Sequence, residues 1–259
     1  MPLLFDLNSV TLLRALSGVL VLLLMALLEL RYPHAPAPSA RTRWVNLGFA
    51  GLNTGLLRAL AWLLGIGLPL IATTFTFGLL HHLRAPVWLE VLIAIVALDF
   101  AVWGQHQLMH RVPVLWRLHR VHHSAHSFDV TLGLRFHPIE ALVSLAWKIL
   151  AVVLLGAPLL AVLIFEILLN AGSLFEHSNL RMPKRLDTWL RLALVTPAMH
   201  RIHHSIEPAA QQSNYGFLLS WWDRAFGLYR AQTPIAEMGV EGFPEAPPRL
   251  GALLAQPFT

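Results

Sequence analysis

The residues best suited to chemistry in this chain are its histidines. Of the fourteen, eleven fall between positions 106 and 204. Eight of these form three clusters: His106 with His110; His119, His122 and His123; and His200, His203 and His204. The last two clusters share one pattern, His-Arg-Val-His-His and His-Arg-Ile-His-His. In a helix that turns about 100° per residue, positions three and four apart share a face, so each cluster projects its imidazoles together. Adjacent histidines such as His122 and His123 diverge by about 100°, so one cluster can serve two neighbouring ions. A lone histidine is most often an ordinary core or surface residue, but an amphipathic face has no need of imidazole at ligand spacing three times over. Two bound metal ions are therefore expected. Cysteine is absent, which removes disulfides and thiolate sites and leaves imidazole as the borderline-soft ligand. Zinc and ferrous iron both accept neutral imidazole, so ligand type does not choose between them.

An all-imidazole shell leaves the metal charge uncompensated, and four acids lie close enough in sequence to offset it: Asp99, Glu140, Glu176 and Asp223. Asp99 stands two turns before His106 on the same helix face. A carboxylate in so apolar a segment needs a partner, either an arginine or a ligand imidazole that it orients; the second is the preferred expectation.

The elements that must position these residues are membrane helices. The chain has 259 residues, 56% hydrophobic and only 13% charged, far more apolar than a soluble domain. The first span is expected over Thr11 to Leu28, and no small-residue cleavage site follows it, so it reads as an anchor. Arg31 to Arg43, with His34-Ala-Pro-Ala-Pro inside, reads as a loop. Trp44 to Leu80 reads as one tilted or kinked span interrupted by Arg58 and by Gly65-Ile-Gly67-Leu-Pro69, and Pro86 to Gly104 as the next helix, delivering His106 and His110 at its exit. Leu142 to Asn170, broken at Gly156-Ala157-Pro158, is expected to be a hairpin that enters and leaves on one side, because ligands of one site cannot be divided between opposite faces of a bilayer. The net charge of +5 comes from basic residues that bracket apolar spans, which suits membrane edges and excludes a nucleic-acid stripe. The fold class is all-α: a membrane helical bundle of about four embedded segments or hairpins with a cytoplasmic, histidine-rich helical cap. Residues 1–94 form an N-terminal transmembrane region, 95–230 a catalytic domain with its hairpin at about 142–170, and 231–259 a Pro-rich tail.

Several further segments fall into order around the boxes: Arg135-Phe-His137-Pro138, Glu176-His177-Ser-Asn179, Asn214-Tyr215-Gly216 and Trp222-Asp223-Arg224-Ala-Phe226-Gly227. With the three boxes, these resemble the sterol desaturase and fatty acid hydroxylase superfamily over about residues 95 to 230. The resemblance implies a histidine-ligated di-iron centre that uses O₂ and two electrons to oxidise a lipid C–H bond, with zinc a possible replacement in purified material. By position it implies His106, His110, His119, His122, His123, His200, His203 and His204 as ligands, adds His177 between the second and third boxes, and places His137 beside the site as a further ligand or a packing residue. Gln105 and Gln107 flank His106, a departure that affects lining more than ligation. No His-Pro-Gly-Gly haem segment is present, so a separate ferredoxin or cytochrome b5-like donor is expected.

The leading expectation is an O₂-dependent lipid hydroxylase or desaturase of a bacterial inner membrane with its metal site on the cytoplasmic side, which Arg31, Arg41, Arg43, Arg111, Arg117 and Arg120 favour over Arg84 alone opposite. The alternatives are an ether-lipid monooxygenase and, in another class, a metal transporter or sensor. Transport would place ligands at midplane on broken helices, whereas these boxes follow the spans.

Overall fold

The computed structural model describes residues 7–64, 77–83, 85–232, 237–243 and 249–259. They are helical and irregular, with three isolated antiparallel bridges. Helix α1 spans Leu7–Arg31, α2 Ala40–Leu64, α3 Val87–Arg111, α4 Pro113–His123, α5 Pro138–Leu155 and α6 Leu159–Glu176. Shorter helices follow: α7 Lys184–Leu190, α8 Pro197–His203, α9 Pro208–Gln211, α10 Trp221–Ala225 and α11 Leu250–Ala255.

Four stretches are long and apolar enough to cross a membrane, Leu12–Arg31, Val87–Arg111, Pro138–Leu155 and Leu159–Glu176, and the chain is an integral membrane protein. Their outward faces carry Leu16, Leu20, Leu27, Leu92 and Leu154 exposed, as a lipid-facing surface requires. Inside, Leu98, Val102, Val152, Val162 and Phe165 join α3, α5 and α6 in one core, while Met25 and Leu174 seat α1 on α6.

Proline and glycine set the joints. Val112, which precedes Pro113, is extended (φ −93°, ψ 115°), because the proline ring crowds its helical conformation; α3 ends there and α4 starts in a new direction with Pro113 in its first turn. The hairpin turns at Gly156, whose φ of +64° caps α5 in the left-handed region before Pro158 opens α6. Both ends of the hairpin therefore return to the histidine side, as expected.

The expected span over Trp44 to Leu80 takes a different form. Helix α2 is not among the helices apolar enough to span, since it carries Asn46 and Asn53 toward the cap, where they donate to Thr131 Oγ1 and Phe136 O, and Arg43, which binds Asp129. Leu80 and His81, however, pack at the hairpin tip beside Gly156. The interrupting Gly65-Ile-Gly67-Leu-Pro69 lies outside the described residues.

Candidate metal centre

The two histidines of α3 and the three of α4 meet because the Val112–Pro113 joint folds α4 back against α3. Helix α8 approaches from the other side, held by Thr196 at its N-terminus, where the hydroxyl accepts from Met199 N and donates to Asp187 Oδ1 at 2.6 Å. Its histidines are fully buried.

Two groups form. His106, His110, His119, His123 and His203 bring one ring nitrogen each within 4.8 Å of one another, and His122, His177, His200 and His204 do the same beside them. The helical phase explains the partition: His119 and His123, four apart, serve one group while His122 serves the other, and His200 and His204 separate from His203 in the same way. His177, at the C-terminal end of α6, completes the second group.

The protons locate the ligand atoms. His106 Nδ1 donates to Tyr215 O at 2.7 Å, His203 Nδ1 to Ser213 O at 2.8 Å and His119 Nδ1 to Glu140 Oε1 at 2.6 Å. A neutral ring that donates from Nδ1 holds a bare lone pair at Nε2. Yet the Nε2 atoms of His106 and His119 are 3.0 Å apart, and those of His203 and His106 3.1 Å. Three lone pairs so placed repel unless they share a cation. Nitrogens about 2.0–2.1 Å from one ion at tetrahedral or octahedral angles stand about 2.9–3.4 Å apart, which is the observed separation. In the second group His177 Nδ1 donates to Ser173 O at 2.7 Å, and its Nε2 lies 2.9 Å from both His122 Nε2 and His200 Nε2. His110 and His123 have no hydrogen-bond partner at either ring nitrogen among the described residues, an arrangement that a metal ion would satisfy. The two buried clusters thus fit a dimetal site, and the donor set does not choose its metal.

Burial pulls His177 and His203 down to about 3, and burial with neighbouring imidazoles holds His122, His123, His200 and His204 well below the usual range, so these rings are neutral and able to ligate at physiological pH. Aromatic walls enclose them. Phe136 stacks on His122 at 4.5 Å, Phe128 lies 5.7 Å from His177, and Trp116 covers His110 at 4.9 Å.

The remaining expected site residues divide. Glu140 reaches an imidazole of the first group, His119, directly. Glu176 stands 3.6 Å from the Nδ1 atoms of His177 and His200, fully buried, with no hydrogen-bond partner among the described residues. Among the described residues Asp99 bonds neither imidazole nor arginine: Trp222 Nε1 donates to its Oδ2 at 2.7 Å, joined by Leu219 N at 3.4 Å. Its face of α3 is the right one, but the chain at 219–222 closes over it before any histidine can. Asp223 accepts from Trp103 Nε1, Tyr215 N and Gly216 N, so it supports the loop and no ligand ring. His137 stands outside both groups, because its two nitrogens are engaged: Nδ1 accepts from Ile139 N as the cap of α5, and Nε2 donates to Leu254 O. His126, outside both groups, bonds Phe243 O through Nε2 at 3.0 Å.

The backbone acceptors escaped the sequence reading. Asn214, at φ +55°, turns the chain so that the carbonyls on either side of it, Ser213 and Tyr215, face His203 and His106. Its amide is fixed by Met199 O, Arg230 O and Arg230 N. Asparagine tolerates this left-handed conformation better than most residues, and that was the one available signal.

Comparison with known proteins places this centre. The profile of the fatty acid hydroxylase family matches residues 91–228, more than half of the chain and a segment containing both histidine groups. The ornithine lipid hydroxylase OlsE of Rhizobium tropici is 33% identical over 176 residues, covering 67% of this chain and 52% of that protein. The alkylglycerol monooxygenase of Danio rerio is 26% identical over 193 residues, 73% of this chain and 42% of its own. The cholesterol 25-hydroxylase of Rattus norvegicus is 27% identical over 172 residues, 60% and 56% respectively. The chain thus spans about half the length of these curated relatives. No solved structure matches it. With its two histidine groups inside the matched segment, the chain belongs to the fatty acid hydroxylase family.

Proposed function

We propose that this protein is an O₂-dependent di-iron hydroxylase of a membrane lipid. The observation that carries the reading is the convergence of three Nε2 lone pairs, from His106, His119 and His203, at about the spacing of ligands on one ion, beside a second group built the same way. The names of the relatives support hydroxylation over desaturation and supply the lipid class. Two iron ions held there would supply reductive activation of O₂, with one oxygen atom entering a C–H bond and the other leaving as water.

The chain's own residues orient and enclose. Glu140 fixes the tautomer of His119 and raises its basicity as a ligand, and the carbonyls of Ser173, Ser213 and Tyr215 do so for His177, His203 and His106. Phe128, Phe136 and Trp116 keep water from the rings. Phe217, 4.8 Å from His106 and packed on the core of α3, α5 and α6, faces the direction from which a lipid chain arrives. Two electrons come from an external donor, for which a ferredoxin or cytochrome b5-like protein is the proposed class, and the site faces the cytoplasm.

Lipids extracted from cells expressing the chain should contain species heavier by one oxygen atom. The same species should be absent with His122→Ala or His203→Ala. A product short of two hydrogens instead would make the enzyme a desaturase, and no new lipid at all under donor supply would sink the reading. Ether-lipid cleavage is the second reading, favoured by the similarity to alkylglycerol monooxygenase over 73% of the chain; it predicts release of an aldehyde.

A further inference from the structure

Two stretches that leave the bilayer together meet at the histidine end. The spanning part of α1 ends at Arg31 and that of α6 at Glu176. Beyond them Pro33 pairs with Leu180, His34 N donates to Asn179 O and Arg181 N to Tyr32 O, each at 2.8 Å, and the Asn179 side chain clasps Ala35 at both its N–H and its carbonyl. Tyr32, Leu186 and Trp189, in and just after these stretches, stand exposed, as side chains do on a surface at headgroup depth.

Arg201 of α8 reaches this junction from the protein side. It is 6% exposed, and its Nη1 donates to Ser178 O at 3.3 Å. A guanidinium has five N–H donors, yet among the described residues this one makes no second hydrogen bond and no ion pair. Asp187, whose charge acts on it, is already bound to Arg191 and Thr196. Arg120, which holds the same place in the second histidine box, is satisfied by Gln256 O and Thr259 O. The Nε atoms of Arg120, Arg135 and Arg191 are sealed from the surface, whereas Nε and Nη2 of Arg201 are not. Burial and the fields of Arg201 and Arg181 hold the His34 imidazole below its usual range, so it stands beside them as a neutral N–H donor. A mostly buried guanidinium without a counter-ion, beside Arg181 and His34 and with no acid bound to any of the three, calls for an anion.

We propose that Arg201, with Arg181 and His34 at its rim, is a binding site for the phosphate of an anionic lipid headgroup. The exposed Tyr32, Leu186 and Trp189 set the source: a phosphate at this depth arrives with acyl chains already in the bilayer, and a free phosphate ion gains nothing from that apolar surface. Nε and Nη2 of Arg201 form the fork that takes two phosphate oxygens, Arg181 adds positive potential and His34 one neutral donor. Arg201 stands between His200 and His203 in α8, 5.9 Å over the Phe128 ring that also stacks on His177, so a bound headgroup braces the wall of the second histidine group. The proposal goes beyond the oxidation reading and needs the membrane placement alone.

The test reads binding without turnover. Full-length metal-loaded protein in detergent free of anionic lipid is titrated with dioleoyl phosphatidylglycerol and with dioleoylglycerol, which share their chains and differ in the phosphate, and bound lipid is counted by native mass spectrometry. Phosphatidylglycerol should bind about tenfold or more tightly, the scale of one charge-assisted hydrogen bond, and the preference should shrink with salt. Arg201→Gln should abolish it. Where that variant does not fold, Arg181→Gln combined with His34→Ala, both at exposed positions, should reduce it several-fold. Equal affinity for the two lipids in the unsubstituted protein, or a preference that survives the substitutions, overturns the proposal. Inorganic phosphate that raises the thermal midpoint as much as phosphatidylglycerol at equal concentration would make the free ion the ligand and overturn it too. So would an Arg201→Gln protein that keeps the lipid preference and loses binding of an acidic ferredoxin, since the surface would then belong to a protein partner. Failure of the oxidation reading is separable, since it appears as unchanged lipids in expressing cells while the binding preference stands.

Discussion

Glu140 and His137 sit in the same turn at the start of α5, yet the geometry gives them opposite consequences. Glu140 accepts from His119, a proposed ligand, so Glu140→Gln should lower metal affinity by about 10- to 100-fold, read by titration against a competing chelator. His137 caps the helix, so His137→Ala should cost about 1 kcal/mol in stability and leave metal occupancy near that of the unsubstituted protein. The reverse ranking would contradict both assignments. The buried imidazoles also fix a pH dependence. His177 and His203 are held at about 3 when folded, against about 6.5 when exposed, so between these values the unfolded chain binds more protons and stability rises with pH. The metal-free protein should therefore have its full stability above about 6.5 and lose it as pH falls toward 3; a thermal midpoint unchanged from pH 7 to pH 4 would contradict the burial of neutral rings.

At the scale of elements, the loop from Ser213 to Asp223 is the part that joins α3 to α8, through the carbonyls of Ser213 and Tyr215. A Cβ at Gly216 would stand 2.7 Å from Leu219 O and from Val195 Cγ2, so Gly216→Ala should displace the loop and lower metal occupancy, with spectral change centred on the group containing His106 and His203. Asp99→Asn should differ: it weakens the hold on Trp222, lowers thermal stability, and leaves metal content near two ions per chain. The histidine clusters were legible in the sequence because a helix converts spacing into direction, and His122 against His123 showed in advance how one cluster would feed two groups. The role of His137 was not, since a histidine before a proline reads equally as a ligand and as a cap. Asp99 was misleading because its partner Trp222 is 123 residues away in sequence, beyond the reach of any periodicity. Backbone acceptors leave no side-chain signature at all, and Asn214 hinted at them only through the backbone it tolerates. The hairpin was legible from Gly156-Ala157-Pro158, while α2 was harder to read because its polar contacts go to the cap and its apolar length is interrupted.

Over the whole molecule, both histidine groups gather at one end of the described spanning helices, and for the external donor proposed above the basic residues at that end are the proposed docking surface. Two of the cations at that end are committed within the chain: Arg120 to Gln256 O and Thr259 O, and Arg191 to Asp187 and Ala231 O. Arg117, Arg181, Lys184 and Arg185 remain exposed for an acidic partner. Lys184→Glu with Arg185→Glu should slow donor-supported turnover several-fold at low salt and flatten its salt dependence, measured in detergent free of anionic lipid; unchanged rates there would assign these residues to headgroup contact. The central claim, two ions held by two imidazole groups, is tested most directly by metal analysis after anaerobic reconstitution with ferrous iron. The account predicts about two ions per chain, falling to about one in His203→Ala, which strips the first group, and likewise in His122→Ala, which strips the second. A single ion in the unsubstituted protein, or two ions retained in both variants, would contradict it.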